Sequence, residues 1–447
     1  MSRCSRRIFR AYGNLFVCNK LPYAPTSERF SLHADDVKTE KRSKKGMLRL
    51  AVLLAIIVWA GLGRPALAAE SGAPSRVVAF APLTAHFTPD SEYFELFRED
   101  LESRWPGRVE MRTFLEEFQD PDNIHKIRRT LETLADDPSV AAVVIGEAPV
   151  GSLEGIIRLR TKRPDVYVFV LDPHESLEQT GKAASLTVSL NQQARGFLYP
   201  TMAARMGADC LVYLSYPRSQ DIPVLGRQYR VISAVTHDMN LLLASELNGP
   251  DPLVASPSDL ESYLTRTVDR YLEIYGENTA FMTTSSIYSE MLAPIIARKG
   301  GALLEPLQPS LLLGLPEALD LADESRDLFG YWRRLLTTQD EKYLENPPRG
   351  QFASWAYPYP HTAMLAVVDL AVGAVDEQTD IYDLKNVASA LEKHSAGAKW
   401  QVTFHLDYAN DNVTLQVILV LEDTYWFGHG YQGFTRLNIP SRYYRIR

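Results

Sequence analysis

Two hydrophobic rhythms alternate along this chain: short unbroken apolar runs, and stretches in which apolar residues recur every three or four positions. The first rhythm predicts strands buried on both faces, the second one-faced helices. Val140–Ile145 is such a run, rich in β-branched residues and too short for a buried helix. It passes through the polar Gly146-Glu147-Ala148-Pro149 into Leu153, Ile156 and Ile157, at helical spacing, and basic residues close the helix before Pro164. A second buried run at 166–171 completes a βαβ unit. In an open parallel sheet, ligands gather beyond the carboxyl ends of the strands, which here are Gly146-Glu147 and Asp172-Pro173-His174-Glu175.

The same alternation extends to both sides. Before this unit come a strand at 76–81, a helix at 91–104, a strand at 109–114 and a helix with Ile124, Ile127, Leu131 and Leu134 on one face; after it comes a strand at 185–190, ending at Asn191. A second series follows without a linker. Its helix at 192–205 leads to a strand at 210–214 that ends in Ser215-Tyr216-Pro217-Arg218, then to a helical pattern over 225–247. A helix capped by Ser258, a strand at 279–282 ending in Thr283-Thr284-Ser285-Ser286, a helix to Arg298 and a short strand at 302–305 complete it. The pattern predicts an α/β fold of two doubly wound lobes, 76–191 and 192–345. In the remaining segment, 346–447, the Pro- and aromatic-rich 346–360 reads as a loop. Helices at 362–375 and 383–394 and antiparallel strands at 400–408 and 414–421 follow, an extension packing on the lobes or crossing between them.

The amino terminus changes the picture of charge and location. Residues 1–46 hold eleven Lys or Arg against four acids without sustained periodicity, which reads as disorder or as sequence upstream of the true start. Residues 47–68 then show a basic start, a short apolar middle and an Ala-Leu-Ala end, the pattern of a secretory signal cleaved after Ala68. The apolar stretch is shorter than the roughly 18–20 residues that span a bilayer, so no membrane insertion is expected after cleavage. Without residues 1–68, 34 basic and 51 acidic residues remain, a net charge near −17. Such a surface disfavours nucleic acid as a partner. Only Cys210 remains of the cysteines, inside an apolar run, so it reads as a buried structural thiol and no internal disulfide is possible.

Catalytic patterns are lacking: the chain has no Walker loop, Gly-x-Ser-x-Gly elbow, His-Glu-x-x-His or paired cysteines at ligand spacing. Residues 407–412 lack the order of a calcium loop, so no metal and no cofactor is expected. What remains is a set of polar strand ends facing one presumed cleft: Thr84, His86, Glu147, Asp172, His174, Asn191, Arg195, Ser215, Arg218, Thr284 and Ser285, with Trp355, Tyr357 and Tyr359 as aromatic walls. Arg218 and Asp172, placed in different lobes, would hold a polar or zwitterionic solute from both sides.

Eight stretches carry a resemblance: Leu134-Ala-Asp-Asp-Pro138, Lys162-Arg-Pro-Asp165, Asp172-Pro-His-Glu175, Arg195-Gly196, Ser215-Tyr-Pro-Arg218, Tyr275-Gly-Glu-Asn-Thr-Ala-Phe281, Ser354-Trp-Ala-Tyr357 and Glu422-Asp-Thr-Tyr-Trp-Phe-Gly-His-Gly-Tyr431. With the two α/β series after a secretion signal, the chain resembles the type 1 periplasmic solute-binding proteins. It is more closely similar to an uncharacterised bacterial family of periplasmic-binding-like proteins, a domain of unknown function. One departure stands out: that family carries an Asn-Asp-Ala-His-like turn after the strand at Thr279, where this chain has Thr284-Ser-Ser-Ile-Tyr288. The resemblance implies a non-enzymatic periplasmic protein that closes on a small polar solute and presents it to a membrane transporter or sensor. Two other readings stay open: a hydrolase using Glu147 or Asp172 as base in the same cleft, and a ligand-free protein-interaction module built on the aromatic carboxyl-terminal segment.

Overall fold

The computed structural model describes residues 75–81, 92–114, 123–407 and 412–446; the signal-like stretch and the residues before it lie outside them. Two seven-stranded sheets organise the described chain. The first takes β1 (Arg76–Phe80), β2 (Val109–Arg112), β3 (Val140–Ile145), β4 (Tyr167–Leu171) and β5 (Leu186–Leu190) in the order β2-β1-β3-β4-β5, all parallel. The second takes β6 (Cys210–Leu214), β7 (Leu242–Glu246), β8 (Thr279–Thr283), β9 (Ala302–Leu303) and β10 (Gln351–Trp355) in the order β7-β6-β8-β9-β10, again all parallel. The two lobes thus repeat one doubly wound topology, 2-1-3-4-5, in which ligands bind where the strand order reverses.

Helices wall both faces of each sheet, which is why the central strands are almost wholly buried: all five residues of β5, β6 and β8 are so. The helices approach closely where side chains are small. Helix Ser152–Lys162 meets helix Asn123–Thr133 through Gly155, whose Cβ, if present, would sit 2.9 Å from the Leu131 side chain. Cys210 lies in the second-lobe core, and burial pushes its thiol up to about 12, so it carries no thiolate at neutral pH.

Two elements depart from the sequence expectation. The helical pattern over 225–247 breaks: helix Pro223–Met239 stops at Asn240, whose φ of 55° ends it in the left-handed conformation, and β7 follows. As an edge strand, β7 is half exposed, so its Leu-Leu-Ala-Ser-Glu sequence lacks the unbroken apolar run that marks its neighbours. Likewise, 346–360 is not simply a loop. It supplies β10, then turns at Pro358 into helix Tyr359–Val375, with Pro360 in the first turn, where its missing N–H costs nothing.

The carboxyl-terminal segment serves both lobes. Helix Tyr359–Val375 packs on β1, β3 and β4. Strand β12 (Asn412–Glu422) extends the first sheet parallel to β5, and β11 (Trp400–Asp407) pairs with β12 in antiparallel fashion. Strand β13 (Thr424–Trp426) then returns to the second sheet beside β10, with β14 (Gly430–Tyr431) outside it. The chain therefore passes between lobes three times, at Asn191, at 356–358 and at Asp423. One apolar cluster runs continuously from Val77 and Val144 in the first lobe to Leu211 and Ala280 in the second, by way of Trp355 and Tyr359.

A carboxyl in the second lobe makes stability depend on pH. Burial, with Glu317 adding to it, pushes Glu290 on helix Ser286–Lys299 up to about 7 from an ordinary 4.5. A carboxyl whose folded pKa lies above its unfolded value leaves stability intact below 4.5 and erodes it as pH rises through 7. Glu290→Gln is therefore expected to match the parent at pH 4 and to exceed it by on the order of 1–3 kcal/mol at pH 8. Urea denaturation at both pH values reads this, and a gain equal at the two would refute it.

Candidate functional site

At the carboxyl ends of β3 and β4, two acidic residues take a conformation that side chains seldom adopt. Glu147 has φ 49° and Asp172 φ 38°, both non-glycine positions in the left-handed region. Strain of this kind collects at binding and catalytic sites. The backbone around them is held firmly: Gly146 N–H donates to Phe80, Ala148 N–H to Leu171, and Asp172 N–H to Val188. These bonds fix where the two carboxylates project.

Asp172 Oδ1 accepts from the Ser189 hydroxyl at 2.8 Å and from Leu190 N–H at 2.9 Å. Burial pushes its carboxyl above the usual range, with the charge of Glu147 adding to the effect while those hydrogen bonds oppose it. Glu147 Oε1 lies 3.3 Å from His174 Nε2, whereas its Oε2 is buried and makes no hydrogen bond among the described residues. The Tyr359 hydroxyl faces the Asp172 carboxylate without the geometry of a hydrogen bond, and it too is buried and unsatisfied. Burial first, then the neighbouring carboxylate of Asp172, holds that phenol well above its ordinary pKa. Buried polar atoms left without partners are rare in folded proteins.

The second lobe contributes the residues after β6 and β8. Burial pushes the Tyr216 phenol up to about 12; the charges of Asp251 and, across the cleft, Glu147 add to the rise, and Arg218 opposes it. Tyr216 packs against Tyr288, their ring centres 6.1 Å apart. Ser215, Ser219 and Thr284 form a closed triangle of hydroxyls at 2.7, 2.9 and 3.0 Å. Arg218 is half exposed and donates to Asp251 at 2.7 Å within its own lobe.

Several residues expected at the site are engaged elsewhere. Asn191 caps helix Gln192–Arg205 by accepting from Ala194 N–H, and Ser285 caps helix Ser286–Lys299 through Tyr288 N–H. Arg195 is wholly buried, and all five of its N–H groups are used inside the protein. They go to Glu305 at 2.9 Å, Gln192, Tyr199 and the carbonyls of Pro306 and Leu307. Trp355 is also wholly buried, edge-on to Tyr359 and Trp400, and Tyr357 is buried beside Arg333. Thr84 and His86 lie outside the described residues.

Sequence reasoning missed two buried carboxylates at the lobe junction, Glu305 and Glu422. Glu305 pairs with Arg195 and accepts from the Thr424 hydroxyl at 2.7 Å. Glu422 is completely buried; desolvation holds its carboxyl well above the ordinary range, and neither oxygen makes a well-formed hydrogen bond, although Ala356 and Tyr357 N–H face it. The available signal was an acidic residue directly ending an apolar run, at Leu304-Glu305 and Leu421-Glu422. Among the described residues no cluster of His, Cys, Asp or Glu is arranged to hold a metal ion, and no helix is long and apolar enough to cross a membrane.

An uncharacterised protein of Treponema pallidum (strain Nichols) is 32% identical over 172 residues, covering 38% of this chain and 79% of the relative. A second uncharacterised protein of that organism is 38% identical over 122 residues, 27% of this chain and 55% of the relative. A crystal structure described as a transcriptional regulator from Clostridium difficile 630 has the same fold, with TM-score 0.60, 15% identity, and 79% of this chain and 99% of that chain covered. A looser likeness, TM-score 0.43 at 10% identity, links 79% of this chain to 96% of an ABC transporter solute binding protein from Clostridium phytofermentas with bound L-rhamnose. The architecture is that of the two-lobed type 1 periplasmic-binding proteins. The model of one family, described as protein of unknown function, matches residues 95–346, more than half of the chain, which therefore belongs to the family DUF3798.

Proposed function

We propose that this protein is an extracytoplasmic solute-binding protein that holds a small polar ligand between its lobes, without chemistry on it, and presents it to a membrane transporter or sensor. The observation that carries this reading is the pair of buried, unsatisfied groups beside Asp172, Glu147 Oε2 and the Tyr359 hydroxyl. They lie at the carboxyl ends of β3 and β4, on strained backbone, where doubly wound folds bind ligands. A polyhydroxyl solute with one hydroxyl donating to Glu147 Oε2 and another accepting from Tyr359 would satisfy both, next to the Asp172 carboxylate. His174 would orient Glu147 from the same lobe. Tyr216 and Arg218 would meet the solute from the second lobe, with the closed Ser215–Ser219–Thr284 hydroxyl triangle beneath them.

Mass spectrometry of small molecules that co-purify with the protein from its host identifies the solute, and calorimetric titration then measures it. Asp172→Asn is expected to weaken binding by about 1.5–3 kcal/mol, the worth of a charged hydrogen bond, with little change in melting temperature. Unchanged affinity together with a lowered melting temperature would assign Asp172 to structure and refute this site.

A further inference from the structure

A polar cavity with a volume of about 490 Å³ opens at the lobe junction, and neither Glu147, Asp172 nor Tyr359 lines it. That is the size of an ordinary small-molecule site. Its walls come from both lobes and from the carboxyl-terminal tail: Ser176 and Glu178 after β4, His405 on β11, helix Pro223–Met239, and Tyr444 to Ile446.

Three arginines face this space. Arg227 and Arg230 stand one turn apart on the same side of helix Pro223–Met239, and Arg445 reaches in from the tail. None of the three has a carboxylate within 4 Å among the described residues. In a protein this acidic, partners would be easy to supply. Arg98, Arg104, Arg108, Arg158, Arg163, Arg270 and Arg349 all have one. The single acid in the wall among the described residues, Glu178, lies 3.6 Å from His405 Nε2.

The surroundings hold the arginines in place. Gly226 has no side chain, and its missing Cβ leaves the Arg230 guanidinium 3.7 Å from that position. The tail carrying Arg445 is pinned by the Tyr443 hydroxyl, which donates to Asp238 at 2.8 Å, and by Tyr443 packing on Phe197. Gln193 Nε2 donates to the Tyr444 carbonyl at 3.5 Å, tying the tail to the first lobe crossing.

We propose that this cavity binds a small solute carrying two or more anionic groups, phosphate or carboxylate, as a site separate from the strand-end cleft. Planar guanidinium forks suit either anion, and three of them around one cavity suit a multiply charged one. Because both lobes line the cavity, the anion bridges them and stabilises one lobe arrangement.

Pyrophosphate and citrate are the probes, added to the full-length protein in a thermal-shift and calorimetric titration against sodium chloride of equal ionic strength. One or both should raise the melting temperature beyond the salt control, the stronger one distinguishing phosphate from carboxylate recognition. Arg227→Gln combined with Arg230→Gln should weaken that binding at least tenfold, and Arg445→Gln should weaken it independently. Asp172→Asn should leave it unchanged. A response no greater than that to salt, or one that survives in the double variant, overturns the proposal. Loss of the response in Asp172→Asn would also overturn it, by moving the anion into the strand-end cleft.

Discussion

Replacing Arg195 with Ala is expected to lower the unfolding free energy by about 3–5 kcal/mol, the cost of leaving one member of a buried ion pair uncompensated. The wild-type guanidinium is fully buried, as is its partner Glu305 at 4% exposure. After truncation, Glu305 keeps only the Thr424 hydroxyl, and the Pro306 and Leu307 carbonyls lose their donors. Arg195→Lys should recover only part of the loss, because one ammonium cannot reproduce five N–H bonds in fixed directions. The midpoint of urea unfolding, followed by tryptophan fluorescence, measures both variants. A loss below about 1 kcal/mol for Arg195→Ala would show that the pair contributes no more than a surface ion pair does.

This expectation matters for function because Arg195 joins the three crossings between lobes. It follows the first crossing at Asn191, and its partner Glu305 accepts from Thr424, just beyond the third at Asp423. Trp355, at the end of β10 before the second crossing, lies over the guanidinium with its ring centre 5.5 Å away. Asn191 N–H also donates to the Val420 carbonyl, linking the first and third crossings directly. The three crossings are thus tied together at one place in the lobe junction, and closure of the lobes on a solute, as proposed above, would have to act through it.

How much of this was legible in the sequence depended on burial. Strands buried on both faces, such as Val140–Ile145 and Cys210–Leu214, announce themselves as apolar runs, and the βαβ unit built on the first is present as read. Edge strand β7 was not legible, because exposure removes the very pattern that marks a strand. Polar residues at strand ends were legible as a set, but not by role. Asn191 and Glu147 both follow buried strands, yet one caps a helix while the other keeps an unsatisfied oxygen. That difference depends on which partner the tertiary fold brings near. For Arg195, the deciding partner is 110 positions away, beyond any local pattern.

Trp355→Ala is expected to cost about 3–5 kcal/mol, the range for removing a large aromatic from a packed core. Its indole is fully buried, edge-on to Tyr359 at 5.8 Å and to Trp400 at 5.6 Å. Trp400 belongs to the first sheet and Trp355 to the second, so the cavity would open at the lobe junction itself. The loss should not simply add to that of Arg195→Ala. Each residue packs on the other, and the guanidinium gains from the ring face, so a double-mutant cycle is expected to give a coupling of about 0.5–2 kcal/mol. A stability loss from Trp355→Ala without change in solute affinity would place this ring in the structure of the lobe junction. A tenfold or greater loss of affinity in Trp355→Phe, with stability nearly kept, would instead make it a wall of the binding site and overturn that structural assignment.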